Sequence, residues 1–224
     1  MSILAKFASS SDLPVGNGSC LVLDPPEDLI SGPGLAQALT THNRIVFVTR
    51  HRWTKFHPDL AEVVSLLGQD FKFVYPGDFR QLVRYLAGWG VPSKALTKPD
   101  LVIVDKLEDF VCEVLPSTTQ QAGATQPARI SRYECHRRLT KVLTLVANLC
   151  SSNAHTMMSP SPPTGNISAL VTYSPPKAFE MSPSQLDLTG MWYNEAWRRA
   201  AETNGGQHML CHYGLMKGKK LCIA

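Results

Sequence analysis

The chain has 224 residues, enough for one domain whose core needs neither a metal nor a disulfide to fold. Hydrophobic residues make up 44% of it and charged residues 18%, and since no apolar run reaches about eighteen residues and no leader is visible, the composition argues against a membrane span and against secretion. The 6 cysteines form no C-x-x-C pair, which indicates a reducing compartment, and a net charge of +4 permits contact with nucleic acid without indicating it.

Four short apolar runs predict the strands of a parallel sheet. They lack polar alternation, which predicts that both faces of the sheet are covered. The runs are residues 20–23 (CLVL), 44–49 (RIVFVT), 101–104 (LVIV) and 167–172 (ISALVT). A fifth run, residues 71–75 (FKFVY), alternates apolar residues with a lysine and ends at Pro76, which predicts a further strand near a sheet edge.

Helical spacing between these runs predicts an α/β fold, a mostly parallel sheet flanked by helices. The predicted helices are residues 33–41, 78–89 and 129–150. Stretches rich in Pro, Ser, Thr, Gly and Gln predict loops at residues 116–128, 156–165 and 174–184.

The tail of the chain, residues 207–223, is strand-like on both sides of Gly214 and Gly218, which predicts a C-terminal β-hairpin. The loops interrupt one domain and do not separate two. We therefore expect residues 1–19 to be an N-terminal segment and residues 20–224 to form a single domain.

A phosphate-binding loop would follow the first strand, because ligands of parallel sheets bind beyond the carboxyl ends of the strands. Gly32 and Gly34 lie there and are the candidate nucleotide-binding glycines. However, residues 24–34 contain no lysine to reach a phosphate and carry carboxylates that repel one. Two glycines beside a helix start are also ordinary turn residues, and that interpretation is favoured over nucleotide binding.

Asp105 follows a run of four aliphatic residues, where nucleotide triphosphatases hold the carboxylate that reaches magnesium or its water. An aspartate in this position also serves as the cap of a following helix. The sequence leaves both roles open, and it predicts no catalytic residue.

The order of the segments carries a resemblance to a known family. The pieces are residues 44–53 (RIVFVTRHRW), 71–89 (FKFVYPGDFRQLVRYLAGW), 98–110 (KPDLVIVDKLEDF) and 167–174 (ISALVTYS). Together they resemble the core of RecA-like recombinase paralogues, and most closely the RecA-like ATPases that associate with a SWIM-domain protein in the animal Shu complex. The most specific matches are Thr49 with Arg50, residues 73–76 and residues 105–110.

The resemblance implies a RecA-like accessory factor in homologous recombination DNA repair in the nucleus, with little or no catalysis of its own. It would stabilise the recombinase filament on single-stranded DNA together with a SWIM-domain zinc protein, and the recombinase or its paralogues would be further partners. The family's phosphate-loop lysine and hydroxyl residue are missing between Asp24 and Gly34, and the water-activating glutamate would fall near His51. Only Asp105 matches the carboxylate with which the family binds magnesium. The resemblance therefore implies no required cofactor, and whether the chain binds ATP and magnesium stays open.

The loops through which the family touches DNA would correspond to residues 116–128 and 174–184, and the first contains no lysine or arginine. Better candidates lie on the long helix, where Arg137 and Lys141 project away from the apolar stripe. The predicted DNA-binding residues are Arg129, Arg132, Arg137, Arg138 and Lys141. A solvated helix face is the alternative interpretation, and it is the commoner one.

Two other residue groups allow weaker interpretations. His208, Cys211 and His212 are zinc-type ligands, but a strand would place the cysteine on the opposite face, so no metal site is predicted. The aromatic residues at helical spacing either pack in a core or stack on bases or a partner. They are Trp192, Tyr193 and Trp197.

Two further functions stay open beside the accessory role. One is a RecA-like subunit of the Elongator complex in tRNA modification, which would assemble as a heterohexameric ring. The other is an active, DNA-stimulated ATPase of the same family, against which the missing phosphate-loop lysine argues.

Overall fold

The structure is a computed structural model, and it describes residues 18–25, 44–52, 58–89, 99–113, 130–151, 167–174, 176, 195–202, 208–213 and 220–223. Eight strands run through these residues. They are β1 (Ser19–Leu23), β2 (Ile45–Val48), β3 (Phe71–Val74), β4 (Leu101–Val104), β5 (Ser168–Tyr173), β6 (Glu195–Glu202), β7 (His208–Tyr213) and β8 (Lys220–Ile223).

The strands form one sheet in the order β3-β2-β4-β5-β1-β6-β7-β8. The strands from β3 to β6 in this order are parallel, and β7 runs antiparallel to both β6 and β8. The predicted α/β class is confirmed, and β7 and β8 pair antiparallel in the region of the predicted C-terminal hairpin. Strand β3 lies at the sheet edge, where the lysine in its sequence placed it.

The described helices are α1 (Pro58–Leu67), α2 (Phe79–Gly88), α3 (Glu108–Val111) and α4 (Arg132–Ser151), and a 3₁₀ turn covers Gly68–Asp70. Helix α2 begins after Asp78, whose side chain accepts a hydrogen bond from the backbone N–H of Gln81 at 2.7 Å. The Gln81 side chain in turn accepts the N–H of Gly77 at 2.9 Å. This reciprocal arrangement fixes the start of a helix that its apolar spacing predicts.

Helices α2, α3 and α4 pack on one face of the sheet. Leu82 and Leu86 of α2 and Phe110 of α3 belong to the same buried cluster as Val142 of α4 and the strand residues of that face. The residues of the other face are buried as well, and they include Ile45, Phe47, Ile103 and Leu170. Both faces of the parallel sheet are therefore covered, as the uniform apolar runs predict.

One of the aromatic residues at helical spacing lies in a strand. Trp197 lies in strand β6, where it pairs with Val22 of β1 and His212 of β7, so its helical spacing relative to Trp192 and Tyr193 does not reflect a helix. Pairing with strands far away in sequence outweighs local spacing here. Trp192 and Tyr193 lie outside the described residues, as do the helix predicted at 33–41 and nearly all of the three predicted loops. Within the described ranges, no helix combines the length and the apolar character needed to cross a membrane.

Candidate functional site

The carboxyl ends of β2, β4, β5 and β1 meet at one edge of the sheet. A parallel sheet binds its ligands beyond such ends, so the residues that follow these strands are the candidates. They are Arg50 and His51 after β2, Asp105 and Lys106 after β4, Ser174 after β5 and Asp24 after β1. Gly32 and Gly34 lie outside the described residues.

Asp105 is buried at this edge, with 5% of its surface exposed. Its Oδ1 accepts a hydrogen bond from the Thr172 hydroxyl at 3.0 Å, and the Thr172 oxygen accepts the backbone N–H of Lys106 at 2.8 Å. Burial raises the pKa of Asp105, while the bond from Thr172 opposes that rise. Helix α3 has Leu107 at its N-cap and no side-chain cap, so the capping role left open for Asp105 is wrong.

Two residues at this edge have the left-handed backbone that non-glycine residues rarely adopt. The φ angles are 49° at Asp24 and 51° at Lys106. The N–H of Asp24 donates to the carbonyl of Tyr173 at 3.0 Å, and that of Lys106 donates to the Thr172 hydroxyl. Such backbone strain costs about 1 to 3 kcal/mol per residue. Strand β5 therefore fixes the direction in which the backbone leaves β1 and the direction in which it leaves β4.

Ser174 links two carboxylates across the edge. Its backbone N–H donates to Glu108 Oε2 at 2.8 Å, and its hydroxyl donates to Asp24 Oδ1 at 3.1 Å. Burial raises the pKa of Glu108 to about 7, although the Ser174 N–H opposes the rise. The charge of Glu108 therefore changes close to neutral pH.

The basic residues after β2 are bound by acidic groups of α3 and its end. Arg50 Nη2 lies 2.7 Å from Glu113 Oε1, and Arg50 Nη1 donates to the carbonyl of Asp109 at 2.6 Å. His51 Nε2 lies 3.1 Å from Asp109 Oδ2. The position near which the resemblance implies a water-activating glutamate thus holds a histidine that lies beside a carboxylate.

We call the carboxylates of this region the acidic edge, and they are Asp24, Asp105, Glu108, Asp109 and Glu113. Because the arginine and histidine after β2 contact this set, an approaching phosphate meets mostly negative charge. In the described part of the chain, no group of three or more His, Cys, Asp or Glu side chains is arranged to hold a metal ion.

No protein-family model matches the chain, and no curated protein matches it. Its structure is similar to that of the RadB recombinase, with a TM-score of 0.50 and 14% sequence identity, over 91% of this chain and 85% of that chain. The chain has a RecA-like fold. It is also similar to the flagellar accessory protein FlaH from Methanocaldococcus jannaschii, with a TM-score of 0.45 and 10% identity, over 88% of this chain and 78% of that one.

Helix α4 of this RecA-like domain carries most of the predicted DNA-binding residues. Arg132, Arg137 and Lys141 are exposed, which confirms the predicted phase of the helix, and Arg129 lies outside the described residues. Arg137 Nε lies 2.7 Å from Glu134 Oε2 in an ion pair. The hydrogen bond from Arg137 lowers the pKa of Glu134 to about 2. Contact of these residues with DNA stays a prediction.

Arg138 does not belong to that exposed set. Only 5% of its surface is exposed, its Nε donates to Glu134 at 3.1 Å, and its guanidinium lies 5.0 Å from the ring centroid of Phe79. A cation held between a carboxylate and an aromatic face contributes to packing of α4 against α2. Arg138 is therefore removed from the candidate DNA-contacting residues.

Helix α2 presents two basic residues that the sequence analysis did not single out. Arg80 and Arg84 are exposed and lie one turn apart, on the side of α2 opposite the buried Leu82 and Leu86. The sequence itself shows this pair, because two arginines at i and i+4 lie on the side of the predicted helix away from its apolar stripe.

Proposed function

We propose that this RecA-like chain is a non-hydrolysing accessory factor in homologous recombination, working in the nucleus with a SWIM-domain zinc protein to stabilise a recombinase filament on single-stranded DNA. Two things support it: the sequence resemblance to the Shu-complex proteins and a RecA-like fold. The observation that carries the absence of hydrolysis is the acidic edge, in which Glu113 pairs with Arg50 and Asp109 lies beside His51.

Phosphoryl transfer depends on cations that neutralise the phosphate oxygens and on a group that positions the attacking water. Arg50 is held by Glu113 and by the Asp109 carbonyl, and His51 Nε2 lies 3.1 Å from Asp109 Oδ2. Loss of one such stabilising group typically costs ~10²-fold or more in rate. Asp105 alone keeps the character of a magnesium carboxylate, and one carboxylate does not make a hydrolytic site.

The partner role is supported by exposed apolar side chains. Leu66 on α1 and Tyr133 at the start of α4 are each 78% exposed. Large apolar side chains of this kind contribute strongly when a partner covers them. The two residues are the described positions best suited to a protein contact.

An ATP hydrolysis assay tests the proposal. We expect the purified chain, with magnesium and single-stranded DNA present, to release no more phosphate than Asp105→Ala does. Turnover in the wild-type chain that disappears in Asp105→Ala would establish an active ATPase and contradict the proposal.

Co-purification tests the partner. We expect a tagged full-length chain to capture a SWIM-domain protein and the recombinase from cells. Recovery in a heterohexameric ring with tRNA-modification subunits would favour the Elongator alternative instead.

A further inference from the structure

Charge is distributed unevenly over the described part of the molecule. Helices α2 and α4 carry five exposed cationic side chains, while Arg138 is buried beside their one carboxylate, Glu134. The acidic edge at the carboxyl ends of the strands carries five carboxylates against the three cations Arg50, Arg52 and Lys106. A polyanion is therefore attracted to the two helices and repelled from that edge.

The cations of α2 are available for a ligand. Arg80 and Arg84 are exposed, and within the described ranges neither forms an ion pair. Lys141 of α4 likewise forms no ion pair within the described ranges, whereas Arg137 is paired with Glu134. Residues at i and i+4 are about 6 Å apart along a helix axis, so each helix presents its cations as a short row.

The two rows lie side by side. The guanidinium of Arg138 in α4 contacts the ring of Phe79 in α2, which places the second turn of α4 against the first turn of α2. Lys141 follows Arg138 by three residues, so it lies toward the side of α4 that faces α2. Packed helices have axes about 8–10 Å apart, so one nucleic-acid strand can contact both rows.

We infer that Arg80, Arg84, Arg137 and Lys141 form one phosphate-binding surface, the basic face, and that single-stranded DNA crosses both helices there. The inference rests on the proposed function, since it specifies where the complex meets DNA. Helix α2 exposes no large apolar side chain and α4 exposes one, Tyr133, among its described residues, so the face lacks the apolar stripe that enters a lipid surface, which favours a nucleic acid over a membrane. Contacts to phosphates position a strand without reading its sequence.

The test compares two double variants of the full chain. Arg80→Ala with Arg84→Ala removes two charges from the basic face. Arg52→Ala with Lys72→Ala removes the same charge from exposed positions after β2 and in β3, outside the basic face. Alanine favours a helix, so circular dichroism melting of the first variant should match that of the wild-type chain.

Fluorescence anisotropy with a labelled oligo(dT) over a series of potassium chloride concentrations is the measurement. We expect the α2 variant to bind roughly tenfold more weakly at low salt. The slope of log K against log salt should shrink by about 1.4, because two phosphate contacts are lost at about 0.7 each. An oligonucleotide of mixed sequence should show the same change, and the control variant should bind as the wild-type chain does.

Three results would overturn the inference, and they differ in what else they overturn. Wild-type affinity and slope in the α2 variant would remove α2 from the DNA surface and leave the proposed function standing. No binding by the wild-type chain would overturn the DNA contact in both proposals. An α2 variant that binds DNA normally but no longer co-purifies with the SWIM-domain protein would make the basic face a protein contact.

Discussion

Glu108 couples the stability of the fold to pH. Burial raises its pKa to about 7, whereas the ordinary value of 4.5 applies in the unfolded chain. Between these values the folded chain keeps a proton that the unfolded chain releases, so the free energy of unfolding falls as pH rises, by at most about 3 kcal/mol. We expect Glu108→Gln to flatten this dependence, measured by urea unfolding at several pH values from 5 to 8.

Glu62→Gln is the matched control, because Glu62 is an exposed carboxyl on α1. It should keep the wild-type dependence on pH. A wild-type dependence in Glu108→Gln as well would show that Glu108 is ionised in the folded chain throughout that range.

Asp105 and Arg138 show what a sequence reveals about a single residue. A run of aliphatic residues followed by Asp105 marks the end of a strand, and the structure places that carboxylate at the acidic edge. The buried position of Arg138 depends on Phe79, which is distant in sequence and is brought close only by packing of α2 against α4. Local spacing cannot specify such a contact, and so it grouped Arg138 with its exposed neighbour Arg137.

The start of helix α2 depends on its N-cap. Asp78 accepts the N–H of Gln81, one of the backbone donors that a helix leaves unpaired. We expect Asp78→Ala to lower the free energy of unfolding by about 1 kcal/mol, measured by chemical denaturation. Asp78→Asn retains an accepting side chain and should recover most of the loss. Equal losses in the two variants would mean that the cap bond contributes little.

A pair of thiols connects α3 to α4. The sulfurs of Cys112, at the end of α3, and Cys135 of α4 lie 3.0 Å apart, and the hydrogen bond from Cys112 lowers the pKa of Cys135. Two thiols and one hydrogen peroxide yield a disulfide and two waters. We expect mass spectrometry of the peroxide-treated chain to show the loss of two hydrogen atoms. The disulfide should raise the free energy of unfolding by about 3 kcal/mol, because it closes a loop in the unfolded chain.

Cys150→Ser, which changes another thiol of α4, should leave this oxidation intact, whereas Cys112→Ser should abolish it. Oxidation that removes two hydrogen atoms in Cys112→Ser would assign the disulfide to other cysteines.

Elements differ in how far their own sequence determines them. The buried parallel strands were predicted because uninterrupted β-branched and aliphatic runs favour them wherever they pair. Strand β6, with the sequence EAWRRAAE, has the composition of a helix and becomes a strand by pairing with β1 and β7. Helix α1 was missed as well, and its sequence PDLAEVVSLL begins with a proline that suits a first helical turn.

At the scale of the whole molecule, the fold separates two electrostatic regions. Parallel strands bring residues that are far apart in sequence to one edge, where most of the described carboxylates of the loops collect. Helices α2 and α4 lie against the sheet and, apart from the buried Arg138, turn their cations outward. Net charge alone conceals this arrangement, which is why a value of +4 did not indicate a nucleic-acid surface.

The proposed association with a partner is also argued from the whole molecule. Leu66 is 78% exposed, and an apolar side chain of this size in water favours contact with another surface. We expect the lone chain to self-associate as its concentration rises and to become monodisperse when co-expressed with a SWIM-domain protein that covers this residue. Size-exclusion chromatography with light scattering measures both states.

Leu66→Ser then locates the contact. It should raise the monodisperse fraction of the lone chain and weaken co-purification with the SWIM-domain protein, because both depend on the same apolar side chain. Ala87→Ser changes another exposed position, on α2, and should alter neither. A lone chain that stays monodisperse and captures no SWIM-domain protein would contradict the partner role. Normal capture by Leu66→Ser would move the contact away from α1, and Tyr133→Ser would then be the variant in which it is lost.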